Sequence, residues 1–188
     1  IIAITGATGA IYGIRLLEVL SQIGSVETHL IISKYGEQTI RYETDYELSD
    51  VRALANFTYD IDDVGASLAS GSFKRDGMII APCTIKTMSA LAHSYAQNLI
   101  LRAGDVTLKE RKPLVLVVRE APLHLGHLRS MVQLAEMGAI IFPPVPSFYH
   151  KPKAIDDLIN GTIGRLLDLF NIEHNLFSRW SGFGTTPE

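Results

Sequence analysis

The chain has 188 residues, 47% hydrophobic and 20% charged, with a formal net charge of −3. That length and mixture suit one α/β domain with a buried core, exclude the basic field of a nucleic-acid binder, and leave no apolar run long enough to span a bilayer. The single cysteine, Cys83, excludes an internal disulfide and fits a reducing, cytoplasmic setting.

Apolar residues open the chain and predict a buried strand over 1–5, so an initiator methionine is expected upstream and no signal peptide. The turn Gly6-Ala7-Thr8-Gly9 follows. Gly13, Leu16, Leu17 and Leu20 then share one face of a helix predicted over 10–22. A strand, a glycine turn and a helix N-terminus form a phosphate cradle, because free N–H groups and the helix dipole face the same point. The glycine positions 6, 9 and 13 miss the dinucleotide spacing G-x-G-x-x-G, and they also miss G-x-x-G-x-x-G, whose last place holds Tyr12. The second strand, 26–32, ends in Ser33-Lys34 with no acidic residue to read a ribose. Phosphate or a flavin ring suits that end better than a nicotinamide dinucleotide. His29, alternating within this strand, is expected at the surface or the sheet edge.

A helix is predicted over 34–43. The acidic residues Glu43, Asp45, Glu47 and Asp50 would on their own read as a solvated face. Residues 56–76 are irregular, and Ala69-Ser70-Gly71-Ser72 reads either as a cover over a ligand or as a plain surface loop. A strand over 77–81 runs into Pro82-Cys83-Thr84-Ile85-Lys86-Thr87 and a helix over 84–94. The next helix, 98–110, carries Arg102 and Lys109 seven residues apart, hence on similar faces. The strand over 114–118 ends in Arg119-Glu120. A helix over 124–137, a strand over 138–142, the segment Pro143 to His150 and a helix over 153–170 complete the chain, with Arg165 on the last helix.

Alternating strands and helices predict an α/β fold: a single-domain, doubly wound parallel sheet, flavodoxin-like or Rossmann-like, over 1–180, with a poorly ordered tail at 181–188. Such sheets bind ligands beyond the carboxyl ends of their strands. Hydroxyls, cations, one carboxylate and the Tyr149 phenol are all expected on that rim. Arg119, at the end of an apolar strand, would be costly to bury without an anion, and either phosphate or an internal carboxylate such as Glu120 would answer it.

Three other patterns point away from chemistry. Cys83 precedes a helix, where a thiol can be activated, but no histidine partner stands nearby, so it reads as a packed small residue. His124 and His127 are three apart with no third ligand at metal spacing, and no metal is expected. Tyr149 and Lys153 match the Y-x-x-x-K reductase pair, yet Pro152 between them disfavours the helix that pair needs.

The segments TGATGAIYGIRLL, Leu30 to Lys34, Glu43-Thr44-Asp45, Ala69 to Ser72, PCTIKTMS, LKERKPLVLVVREAP and PPVPSFYH together resemble the UbiX flavin prenyltransferases over residues 1–180. The resemblance implies a homododecamer, FMN in its reduced form, and transfer of a dimethylallyl group from dimethylallyl phosphate to N5 and C6 of the flavin without a metal. The product would serve a UbiD-type decarboxylase. It also implies that Gly6, Ala7, Thr8, Ser33, Thr84, Ile85, Lys86, Thr87 and Arg119 line FMN. Tyr149 and Arg165 would hold the substrate phosphate, with Arg102 and Lys109 near it. Glu43 would reach a neighbouring subunit's site, and Glu120 would manage protons. The resemblance thus assigns catalytic roles to Thr8, Glu43, Arg102, Lys109 and Glu120. The family commonly has serine where Thr8 stands, so this chain keeps the hydroxyl and adds a methyl. A cysteine decarboxylase of the same fold is the nearest rival, but its Asn-containing PxMNxxM motif is replaced here by PCTIKTMS. A non-catalytic FMN carrier is the other alternative.

Overall fold

The computed structural model describes residues 1–182, so the tail assigned to 181–188 lies outside the described residues from 183 on. Two compact units are present, residues 1–144 and the residues from 145 on. The first holds the whole sheet. Its strands are β1 (Ile2–Ile4), β2 (His29–Ile32), β3 (Phe57–Tyr59), β4 (Met78–Cys83), β5 (Leu114–Val118) and β6 (Ile140–Ile141). Its helices are α1 (Ala10–Ile23), α2 (Lys34–Glu43), α3 (Leu48–Ala53), α4 (Ile85–Ala92), α5 (Leu99–Lys109) and α6 (Leu125–Glu136). The second unit carries α7 (Ile155–Asp168).

All strand pairs are parallel, in the order β3-β2-β1-β4-β5-β6. The register sets Ile2 beside both Leu30 and Ile79, and Met78 beside Leu114. The chain winds outward from β1 through β2 to β3, then returns to β4 on the other side of β1. The direction of winding therefore reverses between β1 and β4, which opens a crevice at their carboxyl ends. The five strands expected from sequence stand in the flavodoxin order; the sixth, β3, extends the sheet at one edge.

Alternation splits the apolar residues between two faces. Ala3, Ile31, Met78, Ile80, Leu114 and Leu116 join one core with α4 and α5. On the opposite face α1 packs so closely that a Cβ at Gly13 would strike the Ala81 carbonyl and the Ile4 side chain. Only glycine permits that approach. Helix α1 stops at Gly24, which adopts the left-handed conformation with φ 69°.

Three expectations change. Strand β3 and helix α3 were not anticipated, because three and six residues are too few to show a period. With β3 in place β2 is no longer an edge, and His29 is buried rather than at the surface. Its Nδ1 lies 2.9 Å from the Tyr59 hydroxyl, its Nε2 2.9 Å from Glu27, and its ring stacks on Phe57. Arg119 is exposed, so the desolvation argument for an anionic partner does not apply to it. The buried arginine is Arg75, at 8% exposure.

Candidate functional site

The carboxyl ends of β1, β2 and β4 frame a cavity of about 580 Å³. Thr5, Gly6, Ser33, Thr84, Lys86 and Thr87 line it, with Tyr35, Ile61 and Asn98 among their neighbours. Thr5 joins the two central strands. Its buried hydroxyl donates to the Pro82 carbonyl at 2.7 Å and accepts from the Thr84 N–H at 2.9 Å. Ser33 N–H donates to the Ile4 carbonyl at 2.9 Å, which ties the start of α2 to the end of β1.

Two helices begin at the cavity, each capped by its own hydroxyl. The Ser33 oxygen accepts from Gly36 N–H at 2.9 Å at the head of α2. The Thr84 oxygen accepts from Thr87 N–H at 3.1 Å at the head of α4, and the two threonine hydroxyls lie 3.0 Å apart. Both helix N-termini bring partial positive charge to the same space. Gly6 sits where a Cβ would collide with the Cβ of Tyr35, leaving bare backbone at the cavity floor. Lys34 pairs with Asp62 at 3.2 Å, both well exposed.

Helix α1 is different. The expected anion cradle at its N-terminus already holds a carboxylate of the same chain. Glu43 Oε2 accepts from Gly9 N–H at 2.7 Å and from Ala10 N–H at 3.2 Å. Gly9 takes the left-handed conformation at that cap, φ 97°, and has no side chain to do the work itself. Glu43 is the last residue of α2, so an acid at the end of one helix caps the start of the helix before it.

The remaining site candidates form separate groups. Ala7, Thr8 and Ile85 stand beside lining residues in sequence but do not line the cavity. Arg102 and Lys109 share a face of α5, where both meet the loop at 67–72. Arg102 Nε donates to the Ala69 carbonyl at 3.1 Å and its guanidinium pairs with Asp105 at 3.2 Å. Lys109 pairs with Glu110, which holds that carboxyl below its ordinary range, and a Cβ at Gly71 would fall within 2.6 Å of the Lys109 ammonium. Arg119 and Glu120 follow β5 and are exposed; Glu120 accepts from the Ala121 N–H at 3.1 Å.

In the second unit, Tyr149 is exposed, with its ring edge-on to Trp180. Arg165 bonds Asp168 at 2.8 Å. Asp168 also accepts from Arg179 at 2.6 Å and lies 3.2 Å from His174 Nε2. Arg179 first, and then His174, pull the Asp168 carboxyl down to about 2 against the opposing effect of burial. Residues 149–153 are not helical, and Lys151 has φ 53°, so no Y-x-x-x-K face forms.

Cys83 is fully buried, and burial pushes its thiol up, away from a reactive thiolate. His124 caps α6 by accepting from Gly126 N–H at 3.0 Å, with its ring tilted 33° against that of His127. Among the described residues no three His, Cys, Asp or Glu side chains gather to hold a metal, and no helix is long and apolar enough to cross a membrane.

Sequence reasoning missed Thr5 and Arg75. Thr5 left a faint signal, a hydroxyl closing an otherwise apolar strand; Arg75 left none, since its burial arises from a loop folding over α5.

Residues 1–167 match the family model described as Flavoprotein. A flavin prenyltransferase UbiX of Thauera aromatica is 57% identical over 182 residues, covering 97% of this chain and 93% of that protein. A crystal structure of AnUbiX in complex with FMN and dimethylallyl pyrophosphate superposes with a TM-score of 0.95 at 52% identity, covering 97% of this chain and 96% of that one. A dodecameric FMN-dependent UbiX-like decarboxylase from Escherichia coli O157:H7 superposes at 0.94 with 46% identity, covering 96% and 98%.

Proposed function

Because the chain belongs to the flavoprotein family and, within it, to the UbiX flavin prenyltransferases, we infer that it joins a dimethylallyl group to reduced FMN. The observation that carries this is the 57% identity to a curated flavin prenyltransferase over nearly the whole chain. The cavity fits the cofactor. Its volume of about 580 Å³ lies within the usual range for such ligands, its floor at Gly6 admits a flat ring, and two helix N-termini with the Ser33 and Thr87 hydroxyls offer donors to a phosphate. Bound there, reduced FMN supplies the nucleophilic N5 and C6 positions.

The chain's own part is to bind, orient and handle charge. The allylic carbon–oxygen bond of dimethylallyl phosphate breaks with its electron pair leaving on phosphate. Fixed cations at that oxygen stabilise the separating charge without reorganising. Arg102, Lys109 and Arg165 are cations of the right kind, and guanidinium matches phosphate with paired donors. Each already faces a carboxylate, Asp105, Glu110 and Asp168 respectively, so each is oriented before the phosphate arrives. Tyr149 adds a phenol. Glu120 is the proton acceptor, with an exposed carboxylate on the residue directly after Arg119. Gly6, Ala7, Thr8, Ser33, Thr84 to Thr87 and Arg119 form the flavin site in this reading, and Glu43 secures the turn that carries three of them.

The active form is a homododecamer in the cytoplasm, as the dodecameric relative and the lone reduced cysteine support. Its product passes to a UbiD-type decarboxylase. The test is anaerobic incubation with reduced FMN and dimethylallyl phosphate, followed by mass analysis of the flavin. A flavin gaining one five-carbon unit is the expected result. Unmodified flavin would support the carrier alternative, and carbon dioxide released from an acid with no prenyl donor present would support a decarboxylase.

A further inference from the structure

Arg75 is the buried cation of the first unit, and the reading above gives it no task. All of its bonded acceptors are neutral. Its guanidinium donates to the carbonyls of Leu68 at 3.1 Å, Ser70 at 2.6 Å, Phe73 at 3.5 Å and Ala103 at 3.3 Å, and to the Thr107 hydroxyl at 3.4 Å. Leu68, Ser70 and Phe73 belong to the loop; Ala103 and Thr107 belong to α5. The Phe73 ring lies 5.5 Å from the guanidinium carbon. Burial lowers the Arg75 pKa and so does Arg102, while Glu110 opposes them, so the same two neighbours that flank the loop share its field.

Arg102 completes the arrangement by taking the carbonyl between, that of Ala69. Three successive loop carbonyls, Leu68, Ala69 and Ser70, are thereby turned toward two guanidinium groups. With its carbonyls turned in, the loop presents the Ser70 and Ser72 hydroxyls, 2.8 Å apart, outward beside Gly71 and the Lys109 ammonium. A five-donor planar fork can hold three loop carbonyls and two α5 acceptors at once. A lysine, with three donors on one point, cannot span them.

We propose that Arg75 is a positioning residue for the phosphate end of the substrate: it fixes the loop at 68–72 on α5, and through that loop it fixes Arg102 and Lys109. The proposal rests on the reading that Arg102 meets the substrate phosphate. It accounts for a buried charge with no carboxylate partner, which a merely structural clamp would not require. Broken, the loop carbonyls would release Arg102 and the serine pair together, while the flavin cavity, built from β1, β2 and β4, would keep its own hydrogen bonds.

The test uses the full chain as Arg75→Met, Arg75→Lys, Arg102→Ala and the double variant Arg75→Met/Arg102→Ala. FMN affinity, KM for dimethylallyl phosphate and kcat are measured for each. Arg75→Met should raise KM by about tenfold while FMN affinity stays within about twofold, because the lost contacts are charge-assisted and local to the loop. Arg75→Lys should not rescue it. On the Arg102→Ala background, Arg75→Met should add less than about twofold, since residues acting as one unit do not add. An unchanged KM in Arg75→Met, an equal loss of FMN and substrate affinity, or full additivity in the double variant would each overturn the proposal. If Arg75→Met does not fold, Arg75→Lys carries the same reading of KM against FMN affinity. An Arg102→Ala enzyme with normal KM would instead overturn the underlying assignment of Arg102.

Discussion

Neutral hydrogen bonds build the cavity around Gly6, whereas charges build the loop packed on α5. At the cavity, the Thr5, Ser33 and Thr84 hydroxyls each satisfy backbone groups, and the helices themselves supply positive potential. At the loop, Arg75 and Arg102 hold carbonyls while Asp105 and Glu110 hold Arg102 and Lys109. The contrast follows from what each region must bind. A flat ring system with one phosphate is positioned by shape and backbone donors. A leaving phosphate needs formal charge that answers charge as it develops. The first arrangement depends less on formal charge than the second, so salt screens it less.

The largest effect should come from closing the cavity floor. Gly6→Val would drive side-chain atoms into Tyr35, and overpacking of this kind costs about 1–3 kcal/mol where the backbone cannot yield. FMN binding, followed by flavin fluorescence, should be lost, and a variant that retained wild-type affinity would refute the placement of the ring. Arg102→Ala comes next. Removing a charge-assisted bond costs about 1.5–3 kcal/mol, roughly ten- to hundredfold in KM for dimethylallyl phosphate, with FMN affinity unchanged. The KM of the unmodified enzyme should also rise more steeply with ionic strength than the FMN dissociation constant does, and equal salt dependence of both would erase the distinction between the regions.

A smaller effect is expected from the head of α4. Thr84→Ala removes a cap and the hydroxyl facing Thr87, costing about 0.5–2 kcal/mol of stability. Thermal unfolding and FMN titration should move together, in contrast to Arg102→Ala, where only KM moves. Cys83 should matter least. Buried and with its thiol pushed up, it should resist iodoacetamide at neutral pH in the folded protein, and Cys83→Ala should retain most activity. Rapid alkylation with loss of turnover would contradict that.

Legibility in the sequence followed the length of the signal. Gly13, Leu16, Leu17 and Leu20 marked α1 because four contacts at helical spacing leave little alternative. The limits of α2 were readable too, as predicted over 34–43, and the structure adds Ser33 as its cap. Phe57-Thr58-Tyr59 was not readable as a strand: three residues carry no period, and their pairing with His29 to Ile31 reaches across α2 and α3. His29 was misplaced for that reason alone. The cavity was half legible. Gly6, Ser33, Thr84, Lys86 and Thr87 stand at strand ends, where topology brings them together, while Thr5 was hidden among apolar neighbours.

Taken by itself, the sequence determined the alternation of strands and helices, the parallel sheet, the family resemblance and the rim on which polar residues gather. These depend on local period and on strand ends, and both are written in consecutive residues. Only the tertiary structure decided which charge went where. It seated the Glu43 carboxylate on Gly9 and Ala10, left Arg119 exposed, and buried Arg75 instead. Burial and pairing of a charged side chain depend on segments far apart in the chain, such as α5 and the loop at 67–73, so no local pattern specifies them.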